Sequence, residues 1–423
     1  MMKLRAGIRC ARLAMMAATL LGGCTIHEQK TVKQELAPVY SAASPSFRQA
    51  AGSLLGGSFV AGNNIVTLVN GREIFPPMLA AIHSAQRTIN FETYVFWDGE
   101  IGRKFTEALA ERARAGVKVN AILDAQGTAK LGLENLELLR SAGVQVVKYH
   151  SIFWLDPRRF NNRTHRKLLI VDGKVGFIGG VGIADEWLGN AEAPKYWRDN
   201  HYKVTGPVVA QLQGAFMDNW LKARGEVLHG PEYFPPLSAT GPYAAQVSRS
   251  SPSRGGSSLR LLYLLAIASA QHSLLIENAY FIPDDLVRQE LIHAAQRGAR
   301  VEILVPGEHI DQKAVRWASR RHYAELLKSG IKIFEFEPTM VHVKLMIVDG
   351  AFVSVGSGNF DLRSLRLNDE ANMNVLDRSF AEQQTKLFAI DKRRSREITL
   401  TETGGLNLLN PIGQVSDGLA PEL

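Results

Sequence analysis

One pattern occurs twice in this chain of 423 residues, and it constrains the fold more than any other feature. His-x-Lys-x4-Asp is found at His165–Asp172 and again at His342–Asp349, and a glycine follows each copy. A His and a Lys that are two residues apart in a strand project from the same face. The two copies can therefore meet across a single site that contains two imidazoles and two ammonium groups.

The similarity between the two halves extends beyond this motif. Ser84–Glu92 aligns with Ser269–Glu277, and Arg114–Leu123 aligns with Gln296–Leu304, in the same order along the chain. A period of about 180 residues indicates domain duplication and not a solenoid of short repeats. Within each half, short apolar strands alternate with amphipathic helices, which is typical of α/β layers around a parallel or mixed sheet.

Paired His and Lys side chains suit an anionic phosphodiester. A neutral imidazole can attack phosphorus to give a phosphohistidine, while a second, protonated imidazole donates to the departing alkoxide. Because histidine titrates near neutrality, the second group can then deprotonate the hydroxyl that resolves the intermediate. Lys167 and Lys344 would neutralise the non-bridging oxygens, assisted by Asn359 and Ser357. We expect no metal or other cofactor, because no Cys, His and carboxylate spacing outside the motifs indicates a metal site.

The repeated motif resembles the HKD motif of the phospholipase D superfamily, and Gly356–Ser364 resembles that family's Gly-Ser-x-Asn extension. The resemblance covers roughly residues 60–390 and implies duplicated α-β-α layered domains, which form a pseudo-twofold monomer with one shared active site. The closest likeness is to bacterial cardiolipin synthases, in the following stretches: Asn162–Lys167, Phe177–Gly180, Trp197–Asp199 and Glu277–Phe281.

The resemblance also assigns roles to the motif residues. It implies that His165 is the nucleophile and His342 the acid and base, although the residues themselves do not rank the two. Asp172 and Asp349 complete the two motifs, either in the chemistry or in a local structural role beside the Asp-Gly turn.

Other candidate residues are less symmetric. Glu92 and Glu277 lie at equivalent strand positions and either orient the imidazoles or serve the structure. Gly180 and Gly182 stand where the second copy has Ser357 and Asn359, so the site should be asymmetric. Either a phosphate is held less well on that side, or Trp197–Asp199 supplies the missing contact.

The beginning of the chain predicts export. Four basic residues precede the apolar run Leu13–Leu21, and Gly22, Gly23 and Cys24 follow it. This is the pattern of a signal peptide, and it is short for a membrane span. It also resembles a bacterial lipobox, which implies a lipidated Cys24 and a membrane-anchored lipoprotein of the bacterial cell envelope. The alternatives are an ordinary signal peptide or an uncleaved anchor, and the oligomeric state stays open.

Composition and turn-forming residues indicate how the rest of the chain is divided. Stretches rich in Ser, Gly and Pro indicate a tether and a connector between the halves. The predicted segments are a signal peptide (1–24), a flexible tether (25–60), an N-terminal phospholipase D-like domain (61–227), a connector (228–256), a C-terminal phospholipase D-like domain (257–400) and a tail (401–423).

The leading functional hypothesis is phosphatidyl transfer. A net charge of +8 and a pI near 9.4 favour anionic partners, either phospholipid headgroups or nucleic acid. The resemblance implies conversion of two phosphatidylglycerol molecules to cardiolipin and glycerol. Hydrolysis of the same intermediate to phosphatidic acid is the alternative, because pocket shape decides between water and alcohol. A nucleic-acid phosphodiesterase is less favoured, since an exported lipoprotein meets little DNA or RNA.

Overall fold

The computed structural model describes Val32 and residues 34–149, 162–251 and 258–403. The predicted signal peptide with Cys24 lies outside the described residues, as do residues 25–31 of the tether and residues 404–423 of the tail. Over the part of the chain that is described, no helix combines the length and the apolar character needed to span a membrane.

A single mixed sheet runs through both halves of the described chain. Its order is β15-β11-β10-β9-β12-β13-β14-β8-β1-β7-β6-β5-β2-β3-β4. The strands are β1 (Val60–Val69), β2 (Thr88–Thr93), β3 (Lys118–Asp124), β4 (Gln145–Tyr149), β5 (Leu168–Val171), β6 (Val175–Gly179), β7 (Asn200–Thr205), β8 (Tyr243–Ser250), β9 (Ser273–Asn278), β10 (Arg300–Pro306), β11 (Lys332–Phe336), β12 (Lys344–Val348), β13 (Phe352–Gly356), β14 (Glu370–Leu376) and β15 (Ser395–Glu397).

Helices cover this sheet and connect its strands. The helices are α1 (Pro45–Leu54), α2 (Asn70–Ser84), α3 (Glu100–Arg114), α4 (Leu133–Ser141), α5 (Val209–Arg224), α6 (Ser258–Ala268), α7 (Asp285–Gln296), α8 (Lys313–Arg320), α9 (Tyr323–Lys328), α10 (Leu362–Arg366), α11 (Arg378–Arg393) and α12 (Leu400–Thr403), with a short 3-10 helix at Asp185–Trp187.

Strand pairing repeats between the halves. In the N-terminal half β2, β3 and β4 are parallel, and β2 also pairs antiparallel with β5. In the C-terminal half β9, β10 and β11 are parallel, and β9 pairs antiparallel with β12. The strands that start at the two motif lysines, β5 just after Lys167 and β12 with Lys344, therefore occupy equivalent places. This pairing confirms the predicted α/β fold with a duplicated domain.

The interior is shared by the two halves. One apolar core contains Ile170 and Phe216 from the first half together with Ile347 and Phe380 from the second. Helix α5 packs on β5, and α11 packs on β12 and β13. Because burial of apolar surface is the main stabilising contribution to folding, a core made by both halves holds the two motif strands in a fixed relation.

The predicted tether is wrong for its last part. Helix α1 lies within residues 25–60, and the Ser44 hydroxyl accepts a hydrogen bond from the Phe47 amide at 3.1 Å at its beginning. Phe47 is buried and packs edge-on against Phe352, with ring centroids 5.3 Å apart. A capping serine followed by Pro45 is typical of the first turn of a helix. The prediction missed it because the surrounding residues are mostly small, which is also typical of a flexible linker.

The predicted connector, residues 228–256, is also more structured than expected. It contains β8, which pairs with β14 of the second half and with β1 of the first. Ala245 and Val247 point into the shared core, while Gln246 accepts a hydrogen bond from Asn374 at 3.2 Å. The segment that separates the halves in sequence thus joins their sheets. Apolar and polar residues alternate along β8 as they do in a strand. Few of them are strongly apolar, so the sequence signal for a strand was weak.

Candidate active site

Both motif histidines line a single cavity of about 200 Å³. His165 and Lys167 come directly before β5, while His342 comes just before β12 and Lys344 begins that strand. The cavity is also lined by Lys167 and Asn359. The structure therefore brings together the imidazoles that the duplicated motif predicted to meet.

Each histidine is held by the backbone of the opposite half. The His165 amide donates to the Asp369 carbonyl at 2.9 Å, and the His342 amide donates to the Arg198 carbonyl at 2.7 Å. These bonds continue two short parallel bridges, one next to β14 and one next to β7. Because each ring is positioned from across the pseudo-twofold axis, neither half can form the site alone.

Glu370 is the carboxylate partner of His165. Its Oε1 lies 2.9 Å from His165 Nδ1, and it accepts further hydrogen bonds from the hydroxyls of Ser357 at 2.5 Å and Ser364 at 2.7 Å. Burial opposes ionisation, but the positive charge of His165 and Lys167 outweighs it, so the pKa of Glu370 is lowered. An ionised carboxylate therefore directs Nδ1–H away from the cavity and leaves Nε2 for chemistry.

Asp199 has the same role behind His342. Its Oδ2 lies 2.8 Å from His342 Nδ1 and accepts the Trp187 indole N–H at 2.9 Å, while Oδ1 accepts the Asn200 amide at 2.8 Å. Burial raises the pKa of Asp199. The two halves thus repeat one device, a buried carboxylate behind an imidazole, with different supporting donors.

Glu92 and Glu277, at equivalent strand positions, make no hydrogen bond to either motif imidazole in the part of the chain that the structure describes. Glu92 accepts hydrogen bonds from Thr164 at 2.5 Å and Asn219 at 2.7 Å, and burial raises its pKa to about 7. Glu277 is fully buried, and burial together with Asp391 raises its pKa well above the ordinary value. Of the two roles that the sequence left open, the structural one fits this geometry, because Glu92 binds Thr164 beside the first motif and neither carboxylate is hydrogen-bonded to an imidazole among the described residues.

The motif aspartates lie away from the cavity. Asp172 accepts three backbone amides, those of Gln86, Arg87 and Thr88, at 2.7–2.9 Å. Asp349 accepts the three equivalent amides in the second half, those of residues 271–273, at 2.7–3.0 Å. Both adopt positive φ, 52° and 50°, at the turn into glycine. Of the two roles left open by the sequence, the structural one fits this geometry, and the catalytic assignment is corrected.

The polar pair of the second motif divides between two tasks. Ser357 holds Glu370, whereas Asn359 lines the cavity with a buried Oδ1 that has no hydrogen-bond partner among the described residues. In the first half a side chain at Gly182 would place Cβ 2.7 Å from Val95 and 3.2 Å from Trp187, and one at Gly180 would meet Asp199 at 2.4 Å. The predicted asymmetry is therefore built by Val95 and Trp187, which fill the place of the missing asparagine.

The buried lysines make the cavity electropositive, and burial opposes protonation of the lysines and histidines that form it. Lys167 donates to the His165 carbonyl at 2.7 Å, and Lys344 donates to the His342 carbonyl at 2.6 Å. Burial lowers the pKa of Lys167 to about 7 and that of Lys344 to about 8. Burial also lowers the pKa of His165 to about 4 and that of His342 well below its usual range. An anionic phosphate would favour the charged form of all four groups.

Among the described residues, aromatic rings enclose the second histidine more fully than the first. The ring centroids of Trp187, Trp197 and Tyr280 lie 5.3, 5.5 and 6.4 Å from that of His342. One edge-on contact, with Tyr94 at 5.3 Å, is made to His165. These apolar walls reduce the access of water to the imidazoles and strengthen the electrostatic interactions inside the cavity.

The comparison with protein families agrees with this architecture. Residues 78–217 and 263–392 each match the model described as cardiolipin synthase, PLD-like domain. The two matched segments cover most of the chain and contain one motif each. The chain belongs to this family.

Relatives with similar sequences carry cardiolipin synthase names. Cardiolipin synthase 2 of Bacillus anthracis is 35% identical over 335 residues, which is 78% of this chain and 65% of that one. Cardiolipin synthase of Geobacillus kaustophilus is 37% identical over 308 residues, 72% of this chain and 61% of that one. The chain therefore spans less than two thirds of the length of these two relatives.

Solved structures show the same fold at low sequence identity. Phosphatidylserine synthase from Haemophilus influenzae superposes with a TM-score of 0.68 at 16% identity, over 89% of this chain and 97% of that one. Polyphosphate kinase from Porphyromonas gingivalis superposes with a TM-score of 0.55 at 13% identity, over 85% of this chain and 53% of that one. At these identities the likeness concerns the fold alone.

Proposed function

We propose that this protein is a phosphatidyltransferase that converts two phosphatidylglycerol molecules to cardiolipin and glycerol through a phosphohistidine intermediate. One observation carries the proposal: two imidazoles, each backed by a buried carboxylate, line one cavity that also holds a motif lysine. Membership of the family and the names of the relatives support the choice of phospholipid over other phosphodiesters.

In the first step the donor phosphate lies between the two histidines. Nε2 of His165 attacks phosphorus, and the bond to the glycerol oxygen breaks as His342 donates a proton to that oxygen. Lys167 and Lys344 neutralise the non-bridging oxygens, and the Asn359 amide lies on the same cavity wall. Because the lysines are buried, their charge is little screened by water.

In the second step the histidines exchange their proton roles. His342 removes the proton from the hydroxyl of a second phosphatidylglycerol, whose oxygen attacks phosphorus and displaces Nε2 of His165. His342 ends protonated and ready for the next donor. The cycle needs no net proton from solvent, which suits a cavity walled by Trp187 and Trp197.

Electrostatics favours His165 as the nucleophile. A phosphorylated imidazole that keeps its Nδ1 proton carries positive charge for the lifetime of the intermediate. Glu370, whose pKa is lowered, offers that cation a stable ionised partner, whereas the pKa of Asp199 behind His342 is raised.

The same proposal includes a place at a membrane. We propose that Cys24 carries a lipid anchor that keeps the chain in the bacterial cell envelope, where both phospholipids reside. The basic composition, with a net charge of +8, fits an anionic lipid surface. Metabolic labelling with a fatty acid tests the anchor, since Cys24→Ala should abolish incorporation.

Incubation of the purified protein with phosphatidylglycerol vesicles, followed by lipid analysis, tests the activity. We expect cardiolipin and glycerol in equal amounts, and we expect His165→Ala and His342→Ala each to abolish turnover with an unchanged melting temperature. Phosphatidic acid as the main product would replace transfer by hydrolysis, and unchanged lipid would refute the proposed substrate.

A further inference from the structure

The active-site cavity contains hydrogen-bond acceptors for which the transfer of a phosphate has no use. Asp361, Asn359 and Asn368 line it, and all three come from the second half. Each is enclosed by protein, with 5%, 2% and 7% of the residue exposed. A phosphodiester presents oxygens and no donors, so the side-chain oxygens of these residues gain nothing from it. The three acceptors therefore indicate a part of the ligand that carries hydrogen-bond donors.

Two of these oxygens have no partner in the part of the chain that the structure describes. They are the buried Oδ1 atoms of Asn359 and Asn368. Oδ1 of Asp361 accepts the Ser364 amide at 2.7 Å, and an ionised carboxylate offers about four lone-pair sites in all. Because buried polar atoms without partners are costly and rare, a ligand that donates to these oxygens removes a cost that the protein otherwise carries.

The charge of Asp361 acts on the side of the cavity where His342 lies. Burial lowers the pKa of Lys344, and the negative charges of Asp361 and Asp311 are among those that oppose this fall. Burial, followed by the charges of Asp311 and Asp361, raises the pKa of Tyr280 well above its ordinary value. The Tyr280 ring packs edge-on against His342, with centroids 6.4 Å apart. Since His342 protonates the departing glycerol oxygen in the proposed mechanism, the rest of the glycerol has to lie beside these residues.

Hydroxyl groups fit these acceptors better than an ammonium group does. Aromatic rings such as Trp187 and Trp197 line the same cavity, and a carboxylate among aromatic rings also attracts cations. However, Lys167 lines the cavity as well, and Nζ of Lys344 lies 2.6 Å from the His342 carbonyl oxygen. Two ammonium groups beside the reacting phosphate disfavour a third, because like charges repel strongly where water screens them little. The hydroxyls of glycerol donate hydrogen bonds without adding charge.

The pseudo-twofold symmetry shows that the fold does not require these acceptors. Equivalent positions were counted from the ends of β6 and β13 and from the two carboxylates behind the histidines. The counterparts carry no side-chain oxygen: Gly182 for Asn359, Ala184 for Asp361 and Trp197 for Asn368. Ala184 precedes the short 3-10 helix without a side-chain cap, so a helix begins at that place without a carboxylate. The histidines and lysines are duplicated, but the three acceptors are not, which assigns them a task on one side of the cavity only.

We propose that Asp361, Asn359 and Asn368 form a hydroxyl-binding subsite, which holds the glycerol headgroup of phosphatidylglycerol beside His342. This inference rests on the proposed transfer reaction. As the donor reacts, the bond from phosphorus to the glycerol oxygen breaks, the bond from phosphorus to Nε2 of His165 forms, and the proton of His342 passes to the glycerol oxygen. The resolving step reverses these changes with the glycerol of the second lipid in the same place. The subsite therefore selects glycerol headgroups over headgroups without hydroxyls.

The test compares donor lipids that differ only in two hydroxyl groups. Vesicles of phosphatidylglycerol supply the acceptor, and each carries a trace of donor lipid labelled in its headgroup, either phosphatidylglycerol or phosphatidylpropanol. The initial rates of release of labelled glycerol and labelled propanol give the ratio of the two kcat/KM values. The wild type should prefer the glycerol lipid by roughly 10- to 100-fold, as expected when hydrogen bonds to a charged group and to buried amides are lost.

Two variants remove acceptors one at a time. Asp361→Asn removes the negative charge and keeps an oxygen that can accept the Ser364 amide, so α10 retains its cap. Asn368→Leu removes the unpartnered oxygen and keeps a side chain of similar size. Each should lower the preference for the glycerol lipid about fivefold or more, because release of glycerol falls further than release of propanol. Thermal melting checks the fold, and since the variants alter different segments, a folding defect in one leaves the other to decide.

A control variant and a third donor separate the subsite from simpler explanations. Asp377→Asn is the matched control, because Asp377 caps α11 by accepting the Phe380 amide at 2.9 Å and does not line the cavity. It should keep the preference of the wild type, and loss of the preference in this variant would overturn the assignment. Labelled phosphatidylethanolamine tests the ammonium alternative, and the wild type should release ethanolamine more slowly than glycerol.

The remaining outcomes also decide the matter. A wild type that forms cardiolipin and releases glycerol and propanol equally well overturns the subsite and leaves the proposed function intact. A preference that survives in both folded variants, or an equal loss of both donors in them, overturns the subsite as well. Faster release of ethanolamine than of glycerol replaces the hydroxyl ligand by an ammonium ligand. A wild type that releases no headgroup and forms no cardiolipin refutes the proposed function itself.

Discussion

Replacing Glu370 by glutamine tests how the site stabilises charge on His165. The substitution keeps the size and the hydrogen-bonding reach of the side chain, whose Oε1 lies 2.9 Å from His165 Nδ1, but it removes the negative charge. Two unit charges about 4 Å apart interact by about 4 kcal/mol at an effective dielectric constant of about 20. The imidazolium-like intermediate should lose most of this stabilisation, which corresponds to a fall in kcat of roughly 10²- to 10³-fold.

The assay is the steady-state rate of cardiolipin formation from phosphatidylglycerol vesicles, with thermal melting as a check on folding. Ser364→Ala is the matched control, because it removes a hydroxyl that donates to Glu370 at 2.7 Å and keeps the carboxylate. We expect that variant to lose about tenfold or less. A Glu370→Gln enzyme with a native melting temperature and a rate within tenfold of wild type would refute the reasoning.

Three further predictions follow from the geometry. Because the pKa of Lys167 is lowered to about 7 and that of Lys344 to about 8, both lose their charge as pH rises, so the fall of kcat/KM that loss of the His342 proton begins at lower pH should steepen near pH 7–8; a slope that does not change between pH 6 and 10 in rate measurements would contradict this. Gly182→Asn should lower the free energy of unfolding by about 1–3 kcal/mol without raising activity, because Val95 and Trp187 fill the space that the new side chain would need. A variant that is more active in rate assays and equally stable in thermal melting would be inconsistent with that packing. Asp349→Ala should lower the free energy of unfolding by about 1–3 kcal/mol and change kcat only a few-fold, because the Asp349 carboxylate binds three backbone amides away from the cavity. Loss of turnover at an unchanged melting temperature would restore the catalytic assignment of Asp349.

The duplicated motif allowed the fold and the centre of the site to be predicted. A repeated His-x-Lys pair in a strand has one simple geometric solution, in which equivalent strands of two equivalent domains face each other. That solution places His165 and His342 on one cavity. The asymmetry signalled by Gly180 and Gly182 was also visible in the sequence, although its cause, the packing of Val95 and Trp187, was not.

The carboxylate partners were harder to predict. Glu370 does not belong to either motif. It contacts His165 only because the two halves pair with each other, and sequence spacing within one half does not reveal that contact. Asp199 was noticed, but as a contact for the phosphate and not as the partner of His342. Glu92 and Glu277 were singled out because they repeat, with an orienting and a structural role both left open, since repetition marks structural residues as well as catalytic ones.

The motif aspartates show the same difficulty in another form. Asp172 and Asp349 belong to a pattern whose other members line the cavity, which suggested a shared role. An Asp five residues after the Lys faces the other way in a strand, and the structure places each at a turn with positive φ. Strand geometry was the better guide in this case, and membership of the motif was misleading.

The central claim is that His165 forms a covalent bond to phosphorus while His342 transfers protons. A phospholipid with a p-nitrophenyl leaving group separates the two roles, because nitrophenolate departs without protonation. Rapid mixing of His342→Ala with this substrate should release a burst of about one nitrophenolate per chain and leave an acid-labile phosphatidyl group on His165, whereas His165→Ala should give no burst. A burst from His165→Ala, or the absence of an adduct on His165 in the His342→Ala enzyme, would contradict the account.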